Sequence, residues 1–157
     1  MTNAVVCREA SVDDVGRLLP LLRAFCEHFD YRFSEPQKRA DVLGLLAQPQ
    51  LGRLFLVVDR SEVVGYVLLA FSFSLEYGGR TAFIDEFFIG AAGRGRGLGK
   101  KVLAFIEDVG RDLAIKALLL EAEETNPRAA ALYEKAGYAF HGRRLMTRVL
   151  DSTRGYK

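Results

Sequence analysis

The sequence predicts an α/β (α+β) protein that is built on one mixed sheet. Two apolar segments of strand length, 53–58 and 63–73, flank a four-residue polar turn, and this pattern predicts an antiparallel hairpin. A third apolar segment, 81–89, ends in a glycine-rich loop, and apolar residues at helical spacing follow that loop directly. With the flanking patterns added, the predicted order of elements is β-α-α-β-β-β-α-β-α-β-β.

The N-terminal part of this order rests on one strand pattern and two helix patterns. A short strand is predicted over Ala4–Arg8. Ser11 and Asp14 form a variant of the capping box, and apolar residues at helical spacing follow them. Pro20 lies inside this helical pattern, so we expect it to kink or split the helix. A second helix is predicted over residues 34–47.

The C-terminal part begins with the helix that follows the glycine-rich loop, near Leu98. The mostly apolar segment Ala114–Ala122 predicts a strand that is covered on both faces. An Asn-Pro pair predicts the start of a helix over 126–137, with a glycine at its end. Two final strands are predicted over Tyr138–His141 and Arg143–Leu150.

The composition is that of an ordinary globular protein. The 157 residues predict a single domain, 1–157, and the formal net charge of +2 is too small to indicate nucleic-acid binding. Cys7 and Cys26 are far apart in the sequence, which indicates reduced thiols. No apolar run approaches the roughly 20 residues of a transmembrane helix, and no signal-peptide pattern opens the sequence. We therefore expect a cytoplasmic protein.

The glycine-rich loop after the fourth strand predicts a phosphate site. Five of the 15 glycines fall within residues 90–99, and basic residues lie among them. Free backbone N–H groups at the positive end of a helix favour an anion, and glycine lets the anion approach the backbone closely. A P-loop would need a glycine where Arg94 stands, and the dinucleotide fingerprint would need one where Lys100 stands. The spacing therefore excludes these two nucleotide motifs.

The pattern that remains, Arg94-Gly95-Arg96-Gly97-Leu98-Gly99, resembles the R-x-x-G-x-G core of the GNAT superfamily of acyl-CoA-dependent N-acetyltransferases. A second block, LLLEAEETNPRAAALYEKAGY over 118–138, resembles the fifth strand of that family and the helix after it. The segment IDEFFI before the loop is similar to the polyamine and diamine acetyltransferase branch. The resemblance implies a mostly antiparallel sheet with helices on both faces. Its fourth and fifth strands would splay apart around acetyl-CoA.

The resemblance also implies which residues bind acetyl-CoA. The backbone of strand four would pair with the pantetheine, and the N–H of Ile89 would polarise the thioester carbonyl. The N–H groups from Gly95 to Lys100 would hold the pyrophosphate. Asn126 matches a position that contacts the cofactor in the family, although a role as helix N-cap would also explain it. The implied cofactor-binding residues are Phe87, Phe88, Ile89, Arg94, Gly95, Arg96, Gly97, Leu98, Gly99, Lys100 and Asn126.

Three residues are candidates for the chemistry. Tyr133 matches the family tyrosine that protonates the departing thiolate, and the alternative is a core aromatic residue on an amphipathic helix. Asp85 and Glu86 are both candidates for the base that deprotonates the amine or for an anchor that holds it. Adjacent strand residues point to opposite faces, so only one of the two would reach the cleft unless a bulge intervenes.

Acceptor recognition is implied for the segment between the first two helices. There, Glu27, Asp30 and Tyr31 combine acidic and aromatic side chains, which suit a cationic amine through charge pairing and cation–π contact. Each of them is also explained as an ordinary surface residue. No metal site is expected, because His28 and His141 do not have metal-ligand spacing.

The sequence thus predicts an enzyme that transfers an acetyl group from acetyl-CoA to a primary amine of a small molecule or peptide. The expected route is direct attack in a ternary complex, since Cys7 and Cys26 lie outside the matched motifs. The alternative is a non-catalytic acyl-CoA-binding module of the same fold, used for sensing or assembly. No nucleic-acid or membrane partner is expected, and the resemblance allows a homodimer.

Overall fold

The sheet of this computed structural model has five strands within the described residues, which are 5–151 and 153. Ala4, the first residue of the predicted N-terminal strand, lies outside that range. The strand order is β1-β2-β3-β4-β5, and every pairing is antiparallel except the parallel pairing of β4 with β5. The strands are β1 (Val6–Glu9), β2 (Gly52–Asp59), β3 (Glu62–Ser74), β4 (Gly79–Ile89) and β5 (Leu118–Leu120).

Helices cover both faces of the sheet, as the resemblance implies. The helices are α1 (Val15–His28), α2 (Glu35–Leu46), α3 (Leu98–Asp112) and α4 (Pro127–Lys135), with short 3-10 turns at Val12–Asp14 and Ala91–Gly93. One face packs against α1 and α2 in a core that includes Leu18 and Tyr66. The other face packs against α3, whose Val102 and Ile106 are fully buried, and against residues of α4 such as Leu132. The predicted mixed α/β class is therefore confirmed.

The helix is continuous through Pro20, so of the two expected effects, a kink or a split, the split does not occur. A proline removes only one backbone hydrogen bond from a helix, and tertiary packing can offset that loss. Three buried side chains flank Pro20 in α1: Leu18, Leu19 and Leu22. The start of the helical segment is held by Asp14, whose carboxylate accepts hydrogen bonds from the backbone N–H of Ser11 and from Arg8.

The strand β5 is shorter than the predicted Ala114–Ala122. Ala114 adopts a positive φ of 54°, and the N–H of Ile115 donates to the carbonyl of Gly110 at 2.8 Å. These features form the turn that closes α3. Residues 114–115 therefore belong to the exit from the helix. The N–H of Lys116 donates to the carbonyl of Arg80 in β4 at 2.8 Å, and the residue pairs of the parallel ladder run from Leu118 to Leu120.

The two strands predicted over Tyr138–His141 and Arg143–Leu150 are not found in the described part of the chain, so this prediction is wrong. A strand requires a neighbouring backbone with which to hydrogen-bond, and sequence propensity does not supply that neighbour. Within the described residues β5 pairs only with β4. The segment after α4 leaves large apolar side chains exposed, and Met146 is 92% exposed.

Candidate active site

A β-bulge at Asp85 determines which carboxylate faces which side of the sheet. Leu68 of β3 lies opposite Glu86, whereas the next residue, Leu69, lies opposite Ile84, so Asp85 is the extra residue on β4. A bulge reverses the alternation of side chains beyond it. Ile84 accordingly packs on the α3 face, while Phe88 packs on the α1 face.

Glu86 is held on the α1 face by a buried tyrosine. The hydroxyl of Tyr66 donates to Oε2 of Glu86 at 2.7 Å, and Tyr66 is fully buried. Burial raises the pKa of the Glu86 carboxyl, and the hydrogen bond from Tyr66 partly opposes this shift. Burial and the neighbouring Glu86 raise the pKa of Tyr66 far above its usual value, so this phenol remains protonated. Asp85 is exposed, so the two carboxyl groups have different environments.

Within the described residues, the edge of β4 that faces β5 is unpaired along its second half. The parallel ladder covers only three residue pairs, from Ala82–Leu118 to Ile84–Leu120, while β4 continues for five more residues to Ile89. The N–H of Gly90 donates to the carbonyl of Val64, which lies on the β3 side. Successive N–H groups of a strand point to opposite edges, so the N–H of Ile89 points away from β3 and into the gap.

The glycine-rich loop presents open backbone at the start of α3. Gly95 and Gly97 have φ values of 74° and 69°, and Gly97 is the N-cap residue of α3. A Cβ atom at either glycine would meet no atom within 4 Å. In the part of the chain that the structure describes, no side chain caps the helix, and its first turn contains Lys100 and no acidic residue. This positive helix end has the geometry and charge that fit a pyrophosphate group.

Two predicted loop residues serve the packing of the protein. Leu98 is only 3% exposed and belongs to the core beneath α3, so its backbone alone faces the loop. A Cβ at Gly99 would lie 2.8 Å from Cδ2 of Leu132, so this glycine allows α3 to approach α4 closely. In the signature R-x-x-G-x-G, the first glycine, Gly97, thus leaves the backbone of the loop open, whereas Leu98 and Gly99 serve the packing of α3.

The two loop arginines both have partners within the protein. Nε of Arg94 donates to the carbonyl of Ile89 at 3.0 Å, and its guanidinium lies 5.5 Å from the ring centre of Phe88. Arg96 forms an ion pair with Asp59, which is buried at the end of β2. Asp59 could not be predicted from the sequence because 37 positions separate it from Arg96. For Tyr66 the only signal was one tyrosine among the mostly aliphatic residues of the first half of β3.

Tyr133 lies on α4, which begins at a capped N-terminus. The side chain of Asn126 accepts a hydrogen bond from the N–H of Ala129 at 3.1 Å, so the predicted N-cap is confirmed. Tyr133 is half-buried and packs on the same side of the sheet as Ile89. Burial raises the pKa of its phenol, which therefore keeps its proton at neutral pH. Its ring lies 6.1 Å from that of Tyr138, whose pKa burial raises to about 12.

The predicted acceptor-binding residues lie at the end of α1. Glu27 and Asp30 are exposed, and Asp30 adopts a positive φ of 56° in the turn. Tyr31 is half-buried, and its ring lies 6.1 Å from that of Phe25. Phe25 in turn lies 5.8 Å from Phe88 of β4. Aromatic contacts thus connect Tyr31 to β4, whereas the side chains of the two acidic residues are exposed to solvent.

Other kinds of site receive no support from the described residues. Across 5–151 and 153, no group of three or more histidine, cysteine, aspartate or glutamate side chains is arranged to hold a metal ion. Over the same residues, no helix is both long and apolar enough to cross a bilayer. Cys7 and Cys26 are free thiols whose pKa values are raised by burial.

The structure thus has an unpaired β4 edge, a glycine-rich loop and a helix that follows β5, which are features that the resemblance to acetyltransferases implies. The chain belongs to the acetyltransferase (GNAT) family, whose family model matches residues 18–138. Members of this family generally use acetyl-CoA.

The sequence relatives carry acetyltransferase names. A thialysine N-epsilon-acetyltransferase of Bos taurus is 30% identical over 142 residues, which cover 85% of this chain and 83% of the relative. An IAA acetyltransferase of Azospirillum brasilense is 29% identical, and the match covers 90% of this chain and 88% of the relative. These names refer to two different acceptors.

The fold is also found in solved structures. An integron cassette protein from the mobile metagenome of Cole Harbour Salt Marsh has a TM-score of 0.84 and is 32% identical, with coverage of 94% of this chain and 92% of that chain. A protein of Clostridium acetobutylicum described as a predicted acetyltransferase, solved with acetyl-CoA, has a TM-score of 0.75 at 16% identity and shows the fold alone. That match covers 94% of this chain and 97% of the other.

Proposed function

We propose that this chain, as one domain, transfers an acetyl group from acetyl-CoA to a primary amine by direct attack in a ternary complex. The observation that carries the proposal is the unpaired β4 edge at Phe87–Ile89, which ends at the glycine-rich loop. Acetyl-CoA would supply an acetyl thioester that is already activated for acyl transfer. The loop from Gly95 to Lys100 would bind the pyrophosphate, with Asn126 as a further contact.

Each chemical role falls to a separate group of the protein. Glu86 takes a proton from the ammonium of the acceptor, which leaves a neutral amine as nucleophile. The N–H of Ile89 donates to the carbonyl oxygen, on which negative charge develops during the attack. Tyr133 donates its phenolic proton to the thiolate as the carbon–sulfur bond breaks. The amine nitrogen loses its second proton after the attack, and that proton returns through solvent to the Tyr133 phenolate, while Glu86 releases its own proton to solvent. The products are an acetylated amine and a free thiol.

Glu86 is a better candidate for the base than Asp85. A base works best when its pKa lies near the working pH, and burial raises the pKa of Glu86 toward that range. Tyr66 also fixes the orientation of this carboxylate. Asp85 is exposed at the bulge, so its proposed role is to attract and anchor the ammonium group.

The acceptor we propose is a cationic amine of a small molecule or peptide. Glu27 and Asp30 place negative charge on the surface at the end of α1, and Tyr31 adds an aromatic ring beside them in the sequence. Negative potential and aromatic faces both attract ammonium groups.

Ligand-dependent melting tests the donor part of this proposal. A specific ligand at about 100 times its Kd stabilises a protein by about 2.7 kcal/mol. Acetyl-CoA is expected to raise the Tm, whereas ATP and NAD at the same concentration are expected to leave it unchanged. A shift with ATP or NAD and none with acetyl-CoA would contradict the assignment and favour a nucleotide-binding protein.

We further propose that the chain forms a homodimer through the surface beside β5. A groove of about 1050 Å³ lies between β5, α4 and residues 138–145. Arg143 makes a bidentate ion pair with Glu76 at 2.8 and 2.9 Å, so the segment after α4 adjoins the turn between β3 and β4. These two segments and the adjoining end of β3 expose eight large hydrophobic side chains: Phe73, Leu75, Tyr77, Phe140, Leu145, Met146, Val149 and Leu150.

A second copy of the chain is the proposed partner for this surface, since each copy would offer both a segment with a strand pattern and an unpaired strand edge. The segment over 143–150 has a strand pattern and no strand partner in the described structure, while the outer side of β5 is unpaired there. Two copies could each offer one segment to the other, as a two-fold interface requires. An apolar patch of this kind is typical of a protein interface.

Light scattering at several protein concentrations tests the homodimer. The wild type is expected to have the mass of a dimer, and Leu145→Ser is expected to shift the mass toward a monomer. Val12→Ser is the matched control. Val12 is also exposed (62%), but it lies in the 3-10 turn before α1 and outside the segments of the proposed interface. A wild type that stays monomeric at every concentration would contradict this part of the proposal.

A further inference from the structure

The turn between β2 and β3 contacts the glycine-rich loop through one ion pair. Asp59 and Glu62 form the last residue pair of the hairpin, and Arg60 and Ser61 form its tip. Both tip residues have positive φ values, 48° and 73°, as a two-residue hairpin turn of type I′ requires at both central positions. This tight turn keeps Asp59 paired with Glu62 at the end of β2.

Asp59 is buried although it lies at a hairpin end. It is 6% exposed, and its Oδ2 accepts a hydrogen bond from Nη1 of Arg96. Its second oxygen, Oδ1, is buried and has no hydrogen-bond partner among the described residues. The position of this carboxylate therefore depends on Arg96. The Arg96 side chain is 41% exposed, so part of it still faces solvent beside the loop.

Arg96 occupies the most adaptable point of the loop. It lies between Gly95 and Gly97, which both have positive φ values and no neighbours within 4 Å of a Cβ position. Glycine backbone has more conformational freedom than any other residue, so a free loop would sample many directions of its N–H groups. The ion pair with Asp59 attaches this part of the loop to the sheet.

We infer that Asp59 is a positioning residue for phosphate binding, which acts through Arg96 to hold the N–H groups of the loop in the orientation that an anion requires. This inference rests on the proposed use of acetyl-CoA. Pre-ordering the loop lowers the entropy lost when the phosphates bind. Asp59 also neutralises the charge of Arg96. The ion pair would therefore favour phosphate binding by ordering the loop backbone more than by adding positive charge.

The test compares coenzyme A, which carries phosphates, with acetyl-pantetheine, which carries none. Asp59→Asn keeps an acceptor oxygen at the hairpin end but removes the charge that holds Arg96. We expect the Kd for coenzyme A, measured by calorimetry, to rise about fivefold to tenfold, as for residues coupled in one ion-pair network. We expect kcat/KM for acetyl-pantetheine, which lacks the phosphates, to stay unchanged. Glu62→Gln is the matched control on the same turn, and it should alter neither value.

A double-mutant cycle tests whether Asp59 acts through Arg96. Arg96→Gln lies in an exposed loop and should fold even if Asp59→Asn does not. In the Arg96→Gln background, Asp59→Asn is expected to cause no further rise in Kd. Additive losses, an unchanged Kd for coenzyme A, or an equal loss with acetyl-pantetheine would overturn the inference. The calorimetric measurement needs no turnover, so a protein that binds coenzyme A without catalysis would contradict the proposed function and leave this inference testable.

Discussion

Replacing Tyr133 with phenylalanine is expected to lower kcat about 100-fold, the scale of general acid catalysis by a positioned side chain. The thiolate that leaves must be protonated, and the phenol of Tyr133 is the proposed donor. Burial raises the pKa of this phenol, which keeps the proton on it at neutral pH. The ring remains in place in Tyr133→Phe, so the KM for acetyl-CoA should change little. Steady-state kinetics with one amine acceptor measures both quantities.

Tyr138→Phe is the matched control for this substitution. Tyr138 is the aromatic neighbour of Tyr133, and its hydroxyl is also buried, without a hydrogen-bond partner among the described residues. Removing that hydroxyl should leave kcat within about twofold of the wild type, since the group takes no part in the proposed chemistry. Equal turnover of Tyr133→Phe and the wild type would remove Tyr133 from the mechanism.

Replacing Glu86 with glutamine should also lower kcat/KM about 100-fold at neutral pH. The amide oxygen of glutamine can still accept the hydrogen bond from Tyr66, so the geometry of β4 is retained while the base is lost. Asp85→Asn is the matched control on the adjacent residue. We expect its effect to be smaller and to appear mainly in the KM for the amine, because its proposed role is electrostatic attraction. The reverse order of the two effects would assign the base to Asp85.

The pH dependence gives a second readout for Glu86. A base must be ionised to act, so kcat/KM of the wild type should fall as the pH drops through the raised pKa of this carboxyl. The variant Glu86→Gln should lack that acidic limb. Because the pKa of Glu86 is raised on folding, the folded state binds the proton more tightly than the unfolded chain. Stability is therefore lost as the pH rises, and Glu86→Gln should melt no lower than the wild type at pH 7.

The helices and the phosphate loop could be predicted because their signals are local. Asn126 and Pro127 specify the start of α4 by capping chemistry, and the structure has that hydrogen bond. The glycines after β4 predict an open cradle, which the φ values of Gly95 and Gly97 provide. In each case the physical cause lies within a few residues of the signal.

The features that could not be predicted depend on partners that are distant in the sequence. The bulge at Asp85 arises from the register between β3 and β4, which no neighbouring residue specifies. The pattern over 143–150 indicates a propensity for extended backbone, but a strand forms only where another backbone pairs with it. The ion pair of Asp59 with Arg96 likewise joins a hairpin to a loop that follows two strands later.

Release of free thiol from acetyl-CoA in the presence of amines tests the central claim most directly. The panel comprises polyamines, aminoglycosides, amino acids and peptides with free N-termini, each assayed with the wild type and with Tyr133→Phe. We predict that at least one cationic amine causes wild-type thiol release far above that of Tyr133→Phe. Tight binding of acetyl-CoA with no amine-dependent release by the wild type would contradict catalysis and favour a sensor or assembly module of the same fold.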